Sequence, residues 1–335
     1  MSKENSEELM NDKHFHAESG DTDFAAVELD DDILDSTTDK SFSQGQLVRR
    51  RFLHHRGAMI STVLFILVFL LAFTSIGYGP IPGWWKYGYL ETLPVENGGR
   101  PTLGFFHLGN HPFGQDNVGK DYFALVMRGA QQSIIVAFIV GIVSTLVGTV
   151  VGALAGYYRG WIESLLMRLT DLFIIIPMLV LAAVILKYSG QGIMLLSVML
   201  GLLVWTSLAR LVRGEVLSLR EREFVSAAHA AGASSGRIIF RHILPNCLGT
   251  IIVSATLAIA SAILLETSLS FLGLGIKAPD TSLGVLISNY QASFATRPWL
   301  FFAPAALILA IALTVNFIGD GLRDAFDPRQ KRKVS

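Results

Sequence analysis

The stretch that decides the fold reads EREFVSAAHAAGASSGRIIFRHILPN and covers residues 221–246. It is polar and basic, and it lies between two runs that are apolar enough to cross a bilayer. Its spacing predicts a first helix, because its apolar residues recur on one face. Those residues are Phe224, Ala227, Ala228 and Ala231. Gly232 is predicted to end the helix, since a glycine just past an alanine-rich helix is the usual left-handed terminator.

A second short helix is predicted after this turn. Ser234 or Ser235 can cap its start, and Pro245 is predicted to end it. The predicted unit is therefore a helix, a sharp turn and a helix outside the membrane. The pattern alone leaves two interpretations open. The small alanines could offer a shallow surface to a partner protein, or the hairpin could lie on lipid headgroups, which Arg237 and Arg241 would suit equally well.

Composition places the chain among membrane proteins. Hydrophobic residues make up 51% of the chain, charged residues only 16%, and the mean hydropathy is +0.49. Soluble globular domains seldom reach this balance.

Cys247 is the only cysteine, which excludes a disulfide framework and a cysteine-rich metal site. His107 and His111 could pair as metal ligands on a helix, but the glycine and proline beside them argue against a helix, so no metal site is expected.

Six apolar runs are long enough to cross a hydrocarbon core of about 30 Å. They cover residues 57–78, 131–157, 164–186, 192–212, 248–271 and 299–319. Basic residues crowd the flank before the first run, the central segment 221–246 and the C-terminal tail. The positive-inside rule therefore places both termini and the central segment in the cytoplasm. The spans are expected to lie in the lipids of the plasma or inner membrane.

The same patterns divide the chain into five parts. They are an acidic disordered cytoplasmic tail (1–46), a basic flank with the first span (47–79), an extracytoplasmic loop (80–128), the main transmembrane domain (129–320) and a basic cytoplasmic tail (321–335). The acidic tail has too few bulky apolar residues to build a core.

Three glycines in the second apolar run recur at every fourth position. Gly148, Gly152 and Gly156 form the small-residue stripe that lets two helix backbones approach closely. We therefore expect this stripe to face another helix. Pro177 and Pro304 lie within spans and are expected to kink them.

Asp171 and Glu266 are the ionisable residues nearest to membrane depth. They could line a polar path or relay a proton, but each lies near the end of its span, so a bond to a neighbouring helix is the favoured interpretation. A membrane enzyme built on both is disfavoured, because the topology places them near opposite membrane faces.

The run from Gly114 to Asp121 imitates a nucleotide-binding loop. Gly114, Gly119 and Lys120 match the start of G-x-x-x-x-G-K. Asp121, however, stands where Ser or Thr should hold magnesium, and no buried strand precedes the run. The sequence therefore predicts no nucleotide site in this chain.

Residues 221–246 resemble the EAA loop of ABC importer permeases. That pattern is Glu-Ala-Ala, three residues, Gly, nine residues, then Ile, any residue, Leu and Pro. The matching residues here are Ala227, Ala228, Gly232, Leu244 and Pro245. Ser226 replaces the Glu, and His242 stands at the Ile position.

Three further blocks resemble the peptide/nickel branch of these permeases, in particular the C-type subunit of oligopeptide and dipeptide permeases. They are HPFGQDNVGKD at 111–121, ETSLSFLGLG at 266–275 and GDGLRDAFDPR at 319–329. Gln115 and Lys120 depart from the first signature, H-x-F-G-T-D-x-x-G-R-D. The resemblance covers nearly everything after about residue 47.

The resemblance implies an all-α membrane protein with six transmembrane helices, the type I importer (MetI-like) fold and cytoplasmic coupling helices. It also implies four partners: a second, B-type permease subunit, two cytoplasmic ATPase subunits and an extracytoplasmic substrate-binding protein. The residues expected to couple to an ATPase are Phe224, Ala227, Ala228, Ala231, Gly232, Leu244 and Pro245. No catalytic residue, cofactor, metal or nucleic-acid partner is expected for this chain, since the ATPases would bind ATP and magnesium.

The implied activity is ATP-driven uptake of di- and oligopeptides. The same architecture could instead import nickel or another small solute. An ATP-independent secondary carrier is less favoured, because neither inverted repeats nor interrupted helices are clear in the sequence.

Overall fold

A computed structural model describes residues 44–104, 109–188 and 192–326. The predictions made for the acidic tail up to residue 43, for His107 and for residues 327–335 lie outside the described residues. Within the described part the chain is mainly helical, as the resemblance implies.

The basic flank forms a helix of its own. Helix α1 spans Gln44–His54, and α2 spans Arg56–Ser75. His55 separates them, and its Nδ1 accepts the Ala58 N–H at 3.0 Å, which caps α2. The predicted boundary between residues 46 and 47 therefore falls inside α1. A small hairpin follows, with strand β1 at Gly77–Tyr78 and β2 at Ile81–Pro82.

In the described part of the loop that follows, Asn97–Gly99 forms a 3₁₀ turn. The loop leads into α3, at Tyr122–Tyr158, the longest of the described helices. Helix α3 begins well before the predicted start at residue 131, so the predicted boundary at 128/129 lies inside it. Asp121 caps this early start, because its carboxylate accepts the Ala124 N–H at 2.8 Å. Arg128, the last residue of the predicted loop, lies within α3 and is paired with Asp280 at 2.6 Å.

The next two predicted spans are each built from two helices. Helices α4, at Gly160–Ile175, and α5, at Met178–Tyr188, meet at 90° around Pro177. A proline lacks the N–H of a helix interior and disfavours helical geometry in the residue before it, which explains the break. Helices α6, at Ile193–Val204, and α7, at Thr206–Arg220, meet at 45°.

The segment 221–246 contains α8 at Glu223–Ala230, α9 at Ser235–Arg237, a π-helical turn at Ile238–Ile243 and a 3₁₀ turn at Leu244–Asn246. The chain then forms α10 at Leu248–Phe271, α11 at Leu283–Tyr290, a 3₁₀ turn at Gln291–Ser293 and α12 at Trp299–Phe326. Helix α11 was not expected. Helix α12 runs past the predicted boundary at 320/321 and contains Pro304.

Among the described residues, four helices, α2, α3, α10 and α12, are individually long and apolar enough to cross a membrane. The number rises to six if each bent pair forms one span. This agrees with the six spans predicted from the sequence.

Two apolar clusters hold these helices together. The larger one centres on α3 and collects buried residues from α6, α10, α11 and α12. The smaller one joins the last turns of α3 to α7 and to the segment 221–246. That segment is therefore packed on the spans rather than hanging free between them.

Candidate functional site

The glycine stripe of α3 lies directly against the backbone of α7. A methyl group added at Gly148, Gly152 or Gly156 would come within 2.5–2.8 Å of a carbonyl oxygen of α7 or of the residue before it. Those oxygens belong to Trp205, Ala209 and Arg213. Small residues allow this backbone-to-backbone approach, so α3 and α7 form a tightly fitted pair.

Ion pairs fasten α7 to α4 beside this contact. Arg213 donates from Nε to Glu163 at 2.8 Å, and Arg210 pairs with Asp171. Asp171 thus binds a neighbouring helix, the interpretation that the sequence favoured. Helix α7 is therefore held to α3 by close packing and to α4 by ion pairs.

The turn after α8 has the geometry that the glycine predicts. Gly232 has a φ of +78°. The Ala233 N–H donates to the Ala228 carbonyl at 3.1 Å, and the Gly232 N–H donates to the His229 carbonyl at 3.0 Å. This pair of bonds is a Schellman motif, which satisfies carbonyls left free at the helix end. Ser234 then caps α9, the first of the two serines that the sequence offered.

The second half of the segment differs from the plain helix that was predicted. Residues from Ile238 to Ile243 form a π-helical turn, and Pro245 lies within the following 3₁₀ turn instead of ending a helix. Pro245 has no N–H to donate, so a regular α-helix cannot continue through it. The amide of Asn246 donates to the His242 carbonyl at 2.7 Å, which satisfies a group that the irregular turn leaves free.

One side of the segment is buried against the spans. Val225, Ile238, Ile239 and Ile243 are all almost fully buried. They pack in the smaller cluster with Val212 and Val216 of α7 and with residues of α3. A movement of the segment therefore reaches α3 and α7 through direct apolar contact.

The other side of the segment is open. Phe224 is 41% exposed and Phe240 is 67% exposed. Of the other residues predicted to couple, Ala227, Ala231, Gly232 and Pro245 are exposed, whereas Ala228 and Leu244 are half-buried and pack against the smaller cluster. Ala228 and Leu244 therefore present only part of their surface on the open side, and their coupling role stays a prediction. The structure adds Phe240, and we call the exposed set Phe224, Ala227, Ala231, Gly232, Phe240 and Pro245 the open face.

Cys247 lies where the segment meets α10, and it is fully buried. Burial, with a smaller contribution from the Glu215 carboxylate, raises the pKa of its thiol to about 12. The thiolate is the reactive form, so this cysteine acts as a small apolar packing residue. No group of three or more His, Cys, Asp or Glu side chains within residues 44–104, 109–188 and 192–326 could hold a metal ion.

The loop that imitates a phosphate-binding motif has a structural explanation. The Asp116 carboxylate accepts the N–H groups of Val118 and Lys120, each at 2.8 Å. Asp121 accepts the indole N–H of Trp85 at 3.1 Å and is bonded to the His111 ring at 2.7 Å. These side chains are occupied in holding the loop together at the start of α3.

The described helices thus carry one folded polar segment that is buried on one side and exposes two phenylalanines on the other. Comparisons with known proteins show the class of protein to which this arrangement belongs. Residues 148–332 match the family described as binding-protein-dependent transport system inner membrane component. Residues 43–94 match the N-terminal transmembrane domain of oligopeptide transport permease C.

Relatives and a solved structure extend these matches. The oligopeptide transport system permease protein OppC of Escherichia coli (strain K12) is 39% identical over 85% of this chain and 91% of its own length. The protein of the same name from Mycobacterium bovis is 38% identical over 86% of this chain and 96% of its own length. A structure of the MetNI methionine ABC transporter in inward facing conformations shares the fold, with a TM-score of 0.51 and 19% identity over 61% of this chain and 96% of that one.

The chain therefore belongs to the family of binding-protein-dependent transport system inner membrane components. It is a permease component of an ABC importer, with the MetI-like membrane fold.

Proposed function

We propose that this chain is the C-type permease subunit of an ATP-driven importer of di- and oligopeptides. The observation that carries the substrate class is the 38–40% identity, over 85–86% of this chain, to permeases named for oligopeptide transport. The match of residues 43–94 to the N-terminal domain of oligopeptide transport permease C supports the same class.

The importer would contain four further subunits: a second, B-type permease, two cytoplasmic ATPases and an extracytoplasmic substrate-binding protein. ATP and magnesium would bind the ATPases, and this chain would bind neither. The basic residues around α1 and in the segment 221–246 support a cytoplasmic location for both termini and for the segment.

The open face is the part of the chain suited to rest on an ATPase. It presents two phenylalanines on a shallow surface of small residues, and the exposed side chains of Arg222, Arg237 and Arg241 lie in the same segment. Aromatic side chains that fill a partner's pockets commonly dominate binding energy. We infer that the ATPase groove has apolar pockets for Phe224 and Phe240 and acidic groups near the arginines.

The inner side of the segment would convert movement of the ATPase into movement of the spans. Val225 and Ile239 press on α7, and α7 is fitted to α3 along the glycine stripe. ATP can drive this movement only if the open face of this chain binds the closed ATPase dimer more tightly than it binds the opened dimer. Equal affinity for both states of the dimer would leave the balance between them unchanged.

The test is uptake by a strain that lacks only this chain, with and without the chain restored. A labelled peptide pool of mixed length and labelled nickel are offered in parallel, with and without depletion of ATP. We expect peptide uptake only when both the chain and ATP are present. Nickel uptake without peptide uptake would contradict the substrate class, and peptide uptake that survives ATP depletion would contradict the importer.

A further inference from the structure

Glu266 is a buried carboxyl group in α10 that ATPase coupling does not use. Its side chain is 1% exposed. Its Oε1 accepts the hydroxyl of Ser270 at 2.5 Å and that of Ser282 at 2.6 Å. Within the described part of the chain, its hydrogen-bond partners are serine hydroxyls rather than basic groups. The burial arises within one chain, so these bonds need no partner subunit.

The serine contacts fix the start of α11. Ser282 is the residue that caps α11, since its hydroxyl also accepts the Val285 N–H at 3.1 Å. The next residue, Leu283, donates its N–H to the Ser133 hydroxyl of α3 at 3.2 Å. The Ser133 hydroxyl in turn lies 3.5 Å from Glu266 Oε2. The first turn of α11 is thus attached to both α10 and α3.

Close packing surrounds these bonds. A methyl group added at Gly284 of α11 would lie 2.7 Å from the Cα of Thr267 in α10, and one added at Gly129 of α3 would lie 3.0 Å from the Leu283 nitrogen. The three helices therefore pack closely at the start of α11, beside the serines that bond the carboxyl group. A buried polar group whose partners are all present makes such a junction rigid, and removing one partner is costly.

The far end of α11 is attached to the loop before α3. The hydroxyl of Tyr290, the last residue of α11, donates to the Asp116 carboxylate at 2.9 Å. Arg297 donates from Nη1 to the Asp116 carbonyl at 3.2 Å. Helix α11 therefore connects the buried carboxyl group to the loop that Asp116 organises.

We propose that Glu266 is a positioning residue whose carboxyl group fixes α11 against α3 and α10, so that α11 holds the Asp116 loop in place. Because the charge pattern places this loop on the extracytoplasmic side, the proposed substrate-binding protein is the partner that it would receive. The docking role of the loop rests on the proposed importer function. The attachment of α11 rests on the geometry of this chain alone, so the two parts have separate tests.

The attachment is tested by labelling a cysteine placed in α11. Leu286 is 2% exposed and packs toward Gly129, so Leu286→Cys should react slowly with a maleimide in the assembled transporter. The native Cys247 is fully buried and gives little background. Glu266→Leu should speed the labelling about tenfold or more, since it removes the acceptor of two buried hydroxyls. Glu266→Gln, whose amide oxygen can accept both hydroxyls, should stay close to the parent rate. Equal rates for the parent and Glu266→Leu would overturn the attachment.

A milder pair of variants keeps the test valid if Glu266→Leu does not insert. Ser282→Ala removes one bond to Glu266, whereas Ser268→Ala removes a hydroxyl of α10 that bonds only the Leu264 carbonyl of its own helix. The first should raise the labelling rate and the second should not; similar rates would overturn the proposal. If Ser282 acted only as a helix cap, the effects of Ser282→Ala and Glu266→Leu would add in full. The proposal expects them to add incompletely, because Glu266→Leu already removes the bond to Ser282.

The docking role is tested by the ratio of ATP hydrolysis with and without the binding protein in the reconstituted complex. Glu266→Leu should lower this ratio, and Glu266→Gln should restore it. A general loss of stability would lower both rates together and leave the ratio unchanged, which would overturn the docking role. If the unmodified complex shows no stimulation, the proposed importer function fails, while the labelling result still decides the attachment of α11.

Discussion

Gly152 of α3 lies directly against Ala209 of α7: a methyl group at Gly152 would sit 2.5 Å from the Ala209 carbonyl oxygen. The same methyl would lie 2.8 Å from the Cβ of Val212. Neither atom is the end of a flexible side chain, so the contact cannot relax by a rotamer change. The pairing of these two helices therefore depends on the absence of a side chain at this position.

Gly152→Ala is expected to destabilise the permease by about 1–3 kcal/mol, the usual cost of forcing extra atoms into a well-packed site. Gly214 of α7 supplies the control, because no heavy atom lies within 4 Å of the place where its Cβ would be. Gly214→Ala should change stability by less than about 1 kcal/mol, in the direction of a small gain. Thermal unfolding in detergent measures both, and equal midpoints would argue against the close contact.

Gly232→Val is expected to abolish transport while the chain remains inserted in the membrane. No heavy atom would touch a Cβ at Gly232, so its φ of +78° is the constraint rather than space. A β-branched residue strongly disfavours this conformation, whereas asparagine tolerates it. Gly232→Asn should therefore keep much of the transport, and Gly236→Ala, at an open position without positive φ, should keep nearly all. Normal uptake by an inserted Gly232→Val protein would count heavily against the coupling role of this turn.

Phe240→Ala is expected to weaken the ATPase complex about tenfold or more, as truncation of a central aromatic contact does. Phe224→Ala should act in the same direction. Phe302, which is 56% exposed at the start of α12, provides a matched control of the same residue type. Co-purification of the ATPase with each variant measures the effect, and equal recovery for Phe240→Ala and Phe302→Ala would contradict the assignment of the open face.

A double-mutant cycle is expected to give the ion pair of Arg213 and Glu163 a coupling energy of roughly 1 kcal/mol, because these side chains are only 34% and 21% exposed. The more exposed pair of Arg159 with Glu221 should couple by about 0.5 kcal/mol or less. The cycle uses glutamine at each position singly and together, with the unfolding midpoint as the readout. A larger coupling energy for the Arg159 pair would reverse the expected order.

The sequence predicts most of what depends on local pattern. Gly232 marks the turn because few other residues accept a positive φ, and Pro177 marks a break because it cannot continue a helix. The spans themselves follow from apolar runs of sufficient length. These features depend on neighbours along the chain, so they can be read without the tertiary structure.

Features that depend on distant partners were not predictable. The sequence placed the end of the loop at Arg128, but this charged residue lies inside α3 and is paired with Asp280, far along the chain. Phe240 lies outward although Ile238, Ile239 and Ile243 of the same π-helical turn are buried, and no α-helical periodicity in the sequence predicts that arrangement. The one sign in the sequence that the second helix would be irregular was Pro245, because it lacks the N–H that would bond the carbonyl of Arg241 in an α-helix.

The most direct test of the central claim is photocross-linking from the open face in the assembled transporter. A photoreactive phenylalanine analogue replaces Phe240 in one protein and Phe302 in another, and the complex is irradiated while it hydrolyses ATP. The account predicts a cross-link to the ATPase subunit from position 240 and none from position 302. A cross-link from position 240 to lipid alone, in a complex that hydrolyses ATP, would contradict it and would favour the alternative that this segment lies on the headgroups.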